Sequence, residues 1–150
     1  MEMTNNPEQR KTRILVVEDN PADVHLLRLA LERAELDCEL IILEDGGEAM
    51  AMVQAPQDSQ IGAPDLAILD LNLPKNDGLE VLAAMRANPD FARIPVAVLS
   101  SSSSPRDRVK MEAFGIACYI IKPLGLEEYM RIGFTVREML AKVDGASSKG

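Results

Sequence analysis

Residues 67–78 read Ala67-Ile68-Leu69-Asp70-Leu71-Asn72-Leu73-Pro74-Lys75-Asn76-Asp77-Gly78, and this stretch decides the fold. A short apolar run ends abruptly at the carboxylate of Asp70, and a series of Pro, Asn, Asp and Gly then turns the chain. The pattern predicts a buried strand with Asp70 at its carboxyl-terminal tip. In open α/β sheets, this edge is where ligands bind and chemistry takes place.

Other apolar runs also end in reactive side chains. Residues 14–17 lead into Glu18 and Asp19, residues 96–99 into Ser100, and residues 117–121 into Lys122. If these strands are parallel, their carboxyl ends lie at one edge of the sheet. We therefore expect three carboxylates, a hydroxyl and an ammonium group to converge there.

The chain alternates five strand patterns with five helical patterns, joined by short connections. The expected strands span residues 13–17, 38–43, 66–70, 95–99 and 117–121, and the expected helices span residues 20–35, 48–55, 78–87, 104–115 and 126–143. This order predicts a flavodoxin-like (βα)5 fold, a doubly wound parallel sheet with strand order 2-1-3-4-5. We expect a single domain over residues 12–143, with flexible tails at residues 1–11 and 144–150.

Composition excludes several classes of function. A net charge of −8 argues against binding to nucleic acid, which depends on Lys and Arg. No apolar stretch is long enough for a membrane helix, and no secretory signal is recognisable, so we expect a cytoplasmic protein without membrane contact. Cys38 and Cys118 lack the CxxC spacing of metal sites and are interpreted as small buried hydrophobic residues.

A cluster of carboxylates at the sheet edge suggests a particular chemistry. Three carboxylates held close together repel one another and normally need a cation, and Mg²⁺ is the best fit. With the metal bound, an oxygen of Asp70 could attack a phosphorus atom. Lys122 and Ser100 would then contact two of the phosphoryl oxygens, since phosphoryl transfer depends mostly on positioning and charge neutralisation.

The chain resembles a CheY-like receiver domain of bacterial two-component signalling. The resemblance rests on the residues at the strand ends described above, together with Leu73-Pro74, Asp77-Gly78 and Lys122-Pro123. The amino-acid sequence of residues 17–24 and 70–75 further resembles that of small stand-alone regulators that partner bacterial phytochrome histidine kinases. The resemblance covers residues 13–142. It departs mildly from the common family pattern at Glu18, where Asp is frequent, and at Ser100, where Thr is commoner.

The resemblance implies that Asp70 accepts a phosphoryl group from a sensor histidine kinase, in some relatives a phytochrome. It implies that Mg²⁺ is held by Asp19, Asp70 and the backbone carbonyl of Asn72, with Glu18 acting through water. Ser100 and Tyr119 would form the switch, and the bond between Lys122 and Pro123 would be cis. Slow self-dephosphorylation is expected, but no metabolic enzyme activity.

The output of such a switch would be a change in protein contacts, because only seven residues follow Val143. The surface of the fourth helix, fifth strand and fifth helix would contact a downstream protein target or a second copy of the chain. The last helix carries more apolar residues than one core-facing stripe needs, and ordinary packing is the alternative explanation.

Two other functions compete with the signalling switch. A pseudo-receiver scaffold that is never phosphorylated would need neither the acids, the hydroxyl nor the lysine. A phosphatase of the haloacid-dehalogenase type would need a second Asp two residues after Asp70, and that position is Asn72.

His25, the single histidine, is interpreted as an ordinary surface residue, and Ser104 as a helix cap. Ser102 is expected to tune the access of water to the phosphoryl group.

Overall fold

Five strands alternate with five helices in the computed structural model, which describes residues 11–55, 63–71, 73 and 77–149. The elements in chain order are β1 (Thr12–Val17), α1 (Pro21–Arg33), β2 (Cys38–Leu43), α2 (Gly46–Gln54), β3 (Leu66–Leu69), α3 (Gly78–Ala87), β4 (Val96–Ser100), α4 (Pro105–Glu112), β5 (Cys118–Ile121) and α5 (Leu126–Lys149).

The strands form one parallel sheet in the order β2-β1-β3-β4-β5, so the predicted fold class and strand order are confirmed. The register aligns the strand ends: Val17 pairs with Leu69, and Ser100 pairs with Ile121. Strands β1, β3 and β4 are almost entirely buried. This explains why they are continuous apolar runs without the alternation of a half-exposed strand.

Local side-chain caps fix where helices begin after the strand ends. Asn20 accepts a hydrogen bond from the amide of Ala22 and is followed by Pro21 at the first helical position. Before α3, the Asp77 carboxylate accepts from the amide of Glu80, and the Glu80 carboxylate accepts from the amide of Asp77. This reciprocal pair is a capping box, and it fixes the helix start close to Asp70.

Two apolar cores lie on opposite faces of the sheet. Helices α1 and α5 cover one face, where Leu27, Leu31, Tyr129 and Val136 are buried. Helices α2, α3 and α4 cover the other face, where the buried residues include Met85. The near absence of aromatic residues is consistent with this packing, because Leu, Ile, Val, Ala and Met fill both layers.

Arg86 connects α3 to the neighbouring loops through hydrogen bonds. Its guanidinium donates to the carbonyls of Phe114 at 2.7 Å, Ile94 at 3.0 Å, Ala92 at 3.1 Å and Gly115 at 3.3 Å. Burial lowers the pKa of the Arg86 guanidinium, but an arginine remains charged at any physiological pH. The side chain therefore satisfies backbone carbonyls that have no partner in a helix or strand.

The structure corrects the predicted bounds of the last helix. Residues 144–149 are helical, although the sequence analysis assigned them to a flexible tail. No proline interrupts this segment, and a single glycine costs a helix only about 1 kcal/mol, which is not enough to end it. The first ten residues of the other predicted tail lie outside the described residues.

Cys38 and Cys118 begin β2 and β5, the two edge strands, so they lie at opposite sides of the sheet. Both thiols are free and half-buried, and burial raises the pKa of each. The prediction that they do not pair is confirmed, while their burial is less complete than expected. In the described part of the chain, no helix is long and apolar enough to cross a membrane.

Gly133 allows α1 and α5 to pack with their backbones in contact. A Cβ atom placed on Gly133 would overlap the carbonyl oxygen of Ala30 and would lie 3.2 Å from the Cβ atom of Ala34. Both obstacles belong to α1 and its cap, and the carbonyl cannot move without moving the helix. The glycine at this position is therefore required by the helix spacing.

Substituting Gly133 with Ala should force the two helices apart. We expect Gly133→Ala to lower the free energy of unfolding by about 1–3 kcal/mol, the usual cost of overpacking, despite the better helix propensity of Ala. Gly125→Ala is the matched control, because its new Cβ would approach only the flexible carboxylate of Glu128. Urea unfolding of both variants checks this, and equal stabilities would contradict the explanation.

Candidate functional site

The backbone ladder continues past the strand ends and positions the side chains that follow them. The amide of Asp70 donates to the carbonyl of Val17 at 3.0 Å, and the amide of Lys122 donates to the carbonyl of Ser100 at 2.7 Å. The amide of Glu18 donates in the same way to the β2 carbonyl of Leu43. The residues after β1, β3 and β5 are therefore held in fixed register at one edge of the sheet.

Glu18, Asp19 and Asp70 meet at this edge as the sequence predicts. One carboxylate oxygen from each lies within 4.8 Å of those of the other two. Glu18 and Asp70 are buried, whereas Asp19 is exposed, so the cluster is accessible from solvent on the Asp19 side. Three convergent carboxylate oxygens form a donor set that suits a hard divalent cation such as Mg²⁺.

Lys122 supplies the positive charge at the cluster. Its ammonium nitrogen lies 2.9 Å from Oδ2 of Asp23, 3.0 Å from Oε1 of Glu18 and 3.5 Å from Oδ2 of Asp70. Burial opposes the charged form, but the hydrogen bonds to Asp23 and Glu18 and the charge of Asp70 outweigh it and raise the pKa of Lys122. The ammonium group is therefore charged at neutral pH.

Glu18 is the carboxylate most affected by its surroundings. Burial raises its pKa to about 7, with a further contribution from the negative charge of Asp70. Hydrogen bonds from Lys122 and from the amide of Asn20 act in the opposite direction and do not compensate. At neutral pH and without a cation, Glu18 is therefore only partly ionised. A carboxylate cluster that receives a cation is expected to behave in this way.

Ser100 lies at the end of β4 and is completely buried. Its hydroxyl oxygen accepts a hydrogen bond of 3.0 Å from the amide of Ser102. The Ser102 hydroxyl donates to Asp107 in α4 at 2.7 Å, and the Ser102 carbonyl accepts from the hydroxyl of Tyr119 at 3.0 Å. Ser102 thus connects the site to both α4 and β5, a role that its place in a serine run does not reveal.

Tyr119 is buried in the sheet edge, and the guanidinium of Arg108 lies 5.7 Å from its ring centre. The role of Tyr119 in a switch stays a prediction. Ser104 caps α4 as predicted, with its hydroxyl 3.5 Å from the amide of Asp107. His25 is exposed on α1, in agreement with its interpretation as a surface residue.

Gly78 packs directly against the backbone of Asp70 and Leu71. A Cβ atom on Gly78 would overlap the carbonyl oxygen of Asp70 and would lie 2.8 Å from the Cα atom of Leu71, so α3 can begin here only with a glycine. Asn72, whose carbonyl the family resemblance assigns to the metal, lies outside the described residues. Its role stays a prediction.

One sequence-based expectation is wrong. None of the peptide bonds in the described residues is cis, so the bond between Lys122 and Pro123 is trans. The trans form of a bond preceding proline is favoured by about 0.5–1 kcal/mol, and nothing at this position requires the other isomer. In the trans form, the Lys122 side chain already reaches Glu18, Asp23 and Asp70.

Asp23 and Tyr129 also contact this site, although they are not among the site residues predicted from the sequence. The hydroxyl of Tyr129 lies 3.4 Å from Oδ1 of Asp23, although the two residues are 106 positions apart. Burial and the charge of Asp23 raise the pKa of Tyr129. The sequence gives only a weak indication that Asp23 is a site residue. It lies five residues after Glu18, in the first turn of the helix that follows β1.

Comparisons with known proteins agree with this geometry. The family model described as a response regulator receiver domain matches residues 14–132. The response regulator Rcp1 of Synechocystis sp. is 42% identical over 120 residues, which cover 79% of this chain and 82% of Rcp1.

Two solved structures are similar to this one. The phosphorylated cyanobacterial phytochrome response regulator RcpA superposes with a TM-score of 0.79 and is 38% identical, covering 89% of this chain and 96% of its own. The Mn²⁺-bound form of Rcp1 gives a TM-score of 0.72 at 41% identity, covering 81% of this chain and 88% of its own. One relative therefore carries a phosphoryl group and another a divalent cation.

The raised pKa of Glu18 predicts a pH-dependent effect of Glu18→Gln in the presence of a chelator. The folded protein binds the Glu18 proton more tightly than the unfolded chain does, so folding stability falls as the pH rises from 4.5 to about 7. A glutamine has no proton to lose. Between about pH 5 and pH 8, the unfolding free energy should shift in favour of the variant by on the order of 1–3 kcal/mol.

Urea unfolding at both pH values provides the measurement. Glu44→Gln, which changes an exposed carboxylate on the same side of the sheet, is the control and should show no such shift. A difference between the wild type and Glu18→Gln that does not depend on pH would contradict the assignment.

Proposed function

This chain belongs to the response regulator receiver family, and we propose that Asp70 accepts a phosphoryl group from the phosphohistidine of a sensor histidine kinase. The observation that carries the proposal is the position of Asp70. Its buried carboxylate follows β3 directly, clusters with Glu18 and Asp19, and lies 3.5 Å from the ammonium of Lys122.

In the proposed reaction, a carboxylate oxygen of Asp70 forms a bond to phosphorus while the bond between phosphorus and the histidine nitrogen breaks. The nitrogen keeps the electron pair of the broken bond, and no proton transfer to the protein is needed. Lys122 neutralises one phosphoryl oxygen, and the hydroxyl of Ser100, which only accepts in its contact with the Ser102 amide, donates to another. Stabilising these oxygens lowers the barrier, because the negative charge of the transition state is spread over them.

Asp19, Asp70 and Glu18 fit a Mg²⁺ ion, since their carboxylate oxygens converge and hard oxygen ligands suit it. Asp19 and Asp70 would ligate directly and Glu18 through water, with the Asn72 carbonyl as a further ligand. When bound, the ion neutralises charge on the acceptor and on the transferred group. The ion also explains why the domain keeps a buried acidic cluster that is costly without a cation.

The kinase partner is proposed to be a bacterial phytochrome. This rests on the likeness to RcpA, which is described as a cyanobacterial phytochrome response regulator. The cytoplasmic location predicted from sequence is part of the same proposal. Slow loss of the phosphoryl group by hydrolysis would limit the duration of the signal.

Output is proposed to occur through a surface that we call the α4–β5–α5 face. Its large apolar side chains are exposed, and they are Val109, Ile121, Leu124, Leu126 and Phe134. Single exposed apolar residues are common, but a group of them on neighbouring elements marks an interaction site. The occupant would be a downstream target or a second copy of the chain.

Phosphorylation of Asp70 is tested by measuring the intact mass after incubation with acetyl phosphate. We expect addition of one phosphoryl group that requires Mg²⁺ and is lost in Asp70→Asn. Asp90→Asn, a substitution of an exposed aspartate away from the sheet edge, should be phosphorylated like the wild type. A folded wild-type protein that gains no mass under any condition would overturn the proposal and favour a scaffold that is never phosphorylated.

Transmission from Asp70 to the α4–β5–α5 face is tested by hydrogen exchange. Phosphorylation should change the exchange of amides in α4 and β5, because the Ser100 hydroxyl accepts from the amide of Ser102, which also holds Asp107 and Tyr119. A movement of Ser100 toward the phosphoryl group would disturb these contacts. Ser100→Ala should still be phosphorylated, although more slowly, but the exchange changes in α4 should be largely lost. Changes of equal size in wild type and variant would contradict this route.

A further inference from the structure

Asp23 makes the shortest contact to Lys122 in this structure. Its Oδ2 lies 2.9 Å from the ammonium nitrogen, compared with 3.5 Å for Oδ2 of Asp70. An ammonium group has three donors, and here three carboxylates surround it: Asp23, Glu18 and Asp70. Asp23 and Lys122 are both largely withdrawn from solvent, with side-chain exposures of 18% and 17%. The pair is therefore screened less than a surface ion pair.

Asp23 differs from the other two partners of Lys122 because it is not part of the cation cluster. The carboxylates that converge within 4.8 Å are Glu18, Asp19 and Asp70. A divalent cation at that cluster would compete with Lys122 for Glu18 and Asp70, and phosphorylation would convert Asp70 into an ester. Asp23 is the carboxylate partner that Lys122 would keep through both events.

Two features hold the Asp23 carboxylate in place. Asp23 lies in the first turn of α1, where the positive end of the helix dipole favours a negative charge. The Tyr129 hydroxyl lies 3.3 Å from the carbonyl of Asp23 and 3.4 Å from its Oδ1, and Tyr129 is only 2% exposed. One carboxylate oxygen of Asp23 thus faces Lys122 and the other faces a buried phenol of α5.

We propose that Asp23, held by Tyr129, is a positioning residue that keeps the ammonium of Lys122 at the phosphoryl-binding edge when a cation and a phosphoryl group occupy the other carboxylates. This inference rests on the proposed function, because it concerns the same reaction. Asp23 does not touch the transferred group. It acts by fixing the position of the Lys122 ammonium, which contacts the transferred group.

The role of Lys122 makes its position important for the rate. With acetyl phosphate as donor, a bond forms between Asp70 and phosphorus, the bond from phosphorus to the acetate oxygen breaks, and acetate leaves with the electron pair. Lys122 assists by neutralising a phosphoryl oxygen as this exchange occurs. A misplacement of the order of 1 Å in such a group is enough to slow a reaction severely.

The test compares wild type, Asp23→Asn, Tyr129→Phe and Asp37→Asn. Asparagine keeps the size of Asp23 but removes its charge, and phenylalanine removes only the hydroxyl of Tyr129. Asp37→Asn makes the same change of net charge at an exposed position before β2, at the opposite edge of the sheet, and it serves as the control. The rate of phosphorylation by acetyl phosphate is measured by intact mass at saturating Mg²⁺.

We expect Asp23→Asn to be phosphorylated more slowly by roughly five- to fiftyfold, and Tyr129→Phe by about two- to threefold. Asp37→Asn should match the wild type. A wild-type rate in Asp23→Asn would overturn the inference. A faster rate would overturn it as well, because it would mean that Asp23 competes with the phosphoryl group for Lys122.

A second measurement is independent of phosphorylation. In a correlation spectrum of ¹⁵N-labelled protein at saturating Mg²⁺, where the cation competes for Glu18 and Asp70, the ammonium of Lys122 should give a signal, because hydrogen bonding and burial slow its exchange with water. Lys122→Arg assigns that signal. It should broaden or vanish in Asp23→Asn and persist in Asp37→Asn, while thermal unfolding shows that each variant is folded.

The two measurements separate the possible failures. If the wild type is not phosphorylated, the proposed function fails, and the ammonium signal still tests whether Asp23 holds Lys122. If the wild type is phosphorylated and the Lys122 signal survives in Asp23→Asn, the function stands and the positioning role is wrong.

Discussion

The contact of one ammonium group with three carboxylates governs the carboxyl edge of this sheet. Lys122 follows β5, and its partners Glu18 and Asp70 follow β1 and β3, while Asp23 lies in α1. Each of these groups would be costly to bury alone, because an ion loses its hydration when it leaves water. Removing Lys122 would leave three carboxylates uncompensated, so the edge depends on this one ammonium group. The same excess of negative charge makes the set receptive to a further cation.

The two-layer packing explains why these groups can be held so closely. Apolar strands buried on both faces, with helices covering each face, give the sheet edge a rigid foundation. The reactive side chains need no long loops to reach one another, since each one directly follows a strand or opens a helix. Site geometry is therefore a consequence of strand register rather than of loop conformation.

Much of this arrangement could be predicted from the sequence. The apolar runs and their abrupt ends were enough to predict the strands, the order of the sheet and the convergence of Glu18, Asp19 and Asp70. The predicted cap Ser104 marked the start of α4 correctly, because capping depends on residues within one turn.

Long-range pairs were harder to predict. Asp23 and Lys122 are 99 residues apart, and nothing in the local pattern of α1 distinguishes an aspartate that favours the helix dipole from one that also binds a distant lysine. The helical conformation of residues 144–149 was missed because polar, Gly- and Ser-containing composition is typical of tails. The trans bond before Pro123 was missed because the expectation came from family resemblance, and the local sequence has no feature that decides the isomer.

The close contact between Gly133 and Ala30 has a mechanical consequence. A helix whose bare backbone rests on a neighbouring carbonyl resists rotation, because rotation would bring the side chain of Ile132 or Phe134 toward that contact. Helices α1 and α5 are therefore expected to move together on their side of the sheet. A rearrangement that starts at the carboxyl edge is then expected to occur on the opposite face of the sheet, in α4 and the serine loop before it.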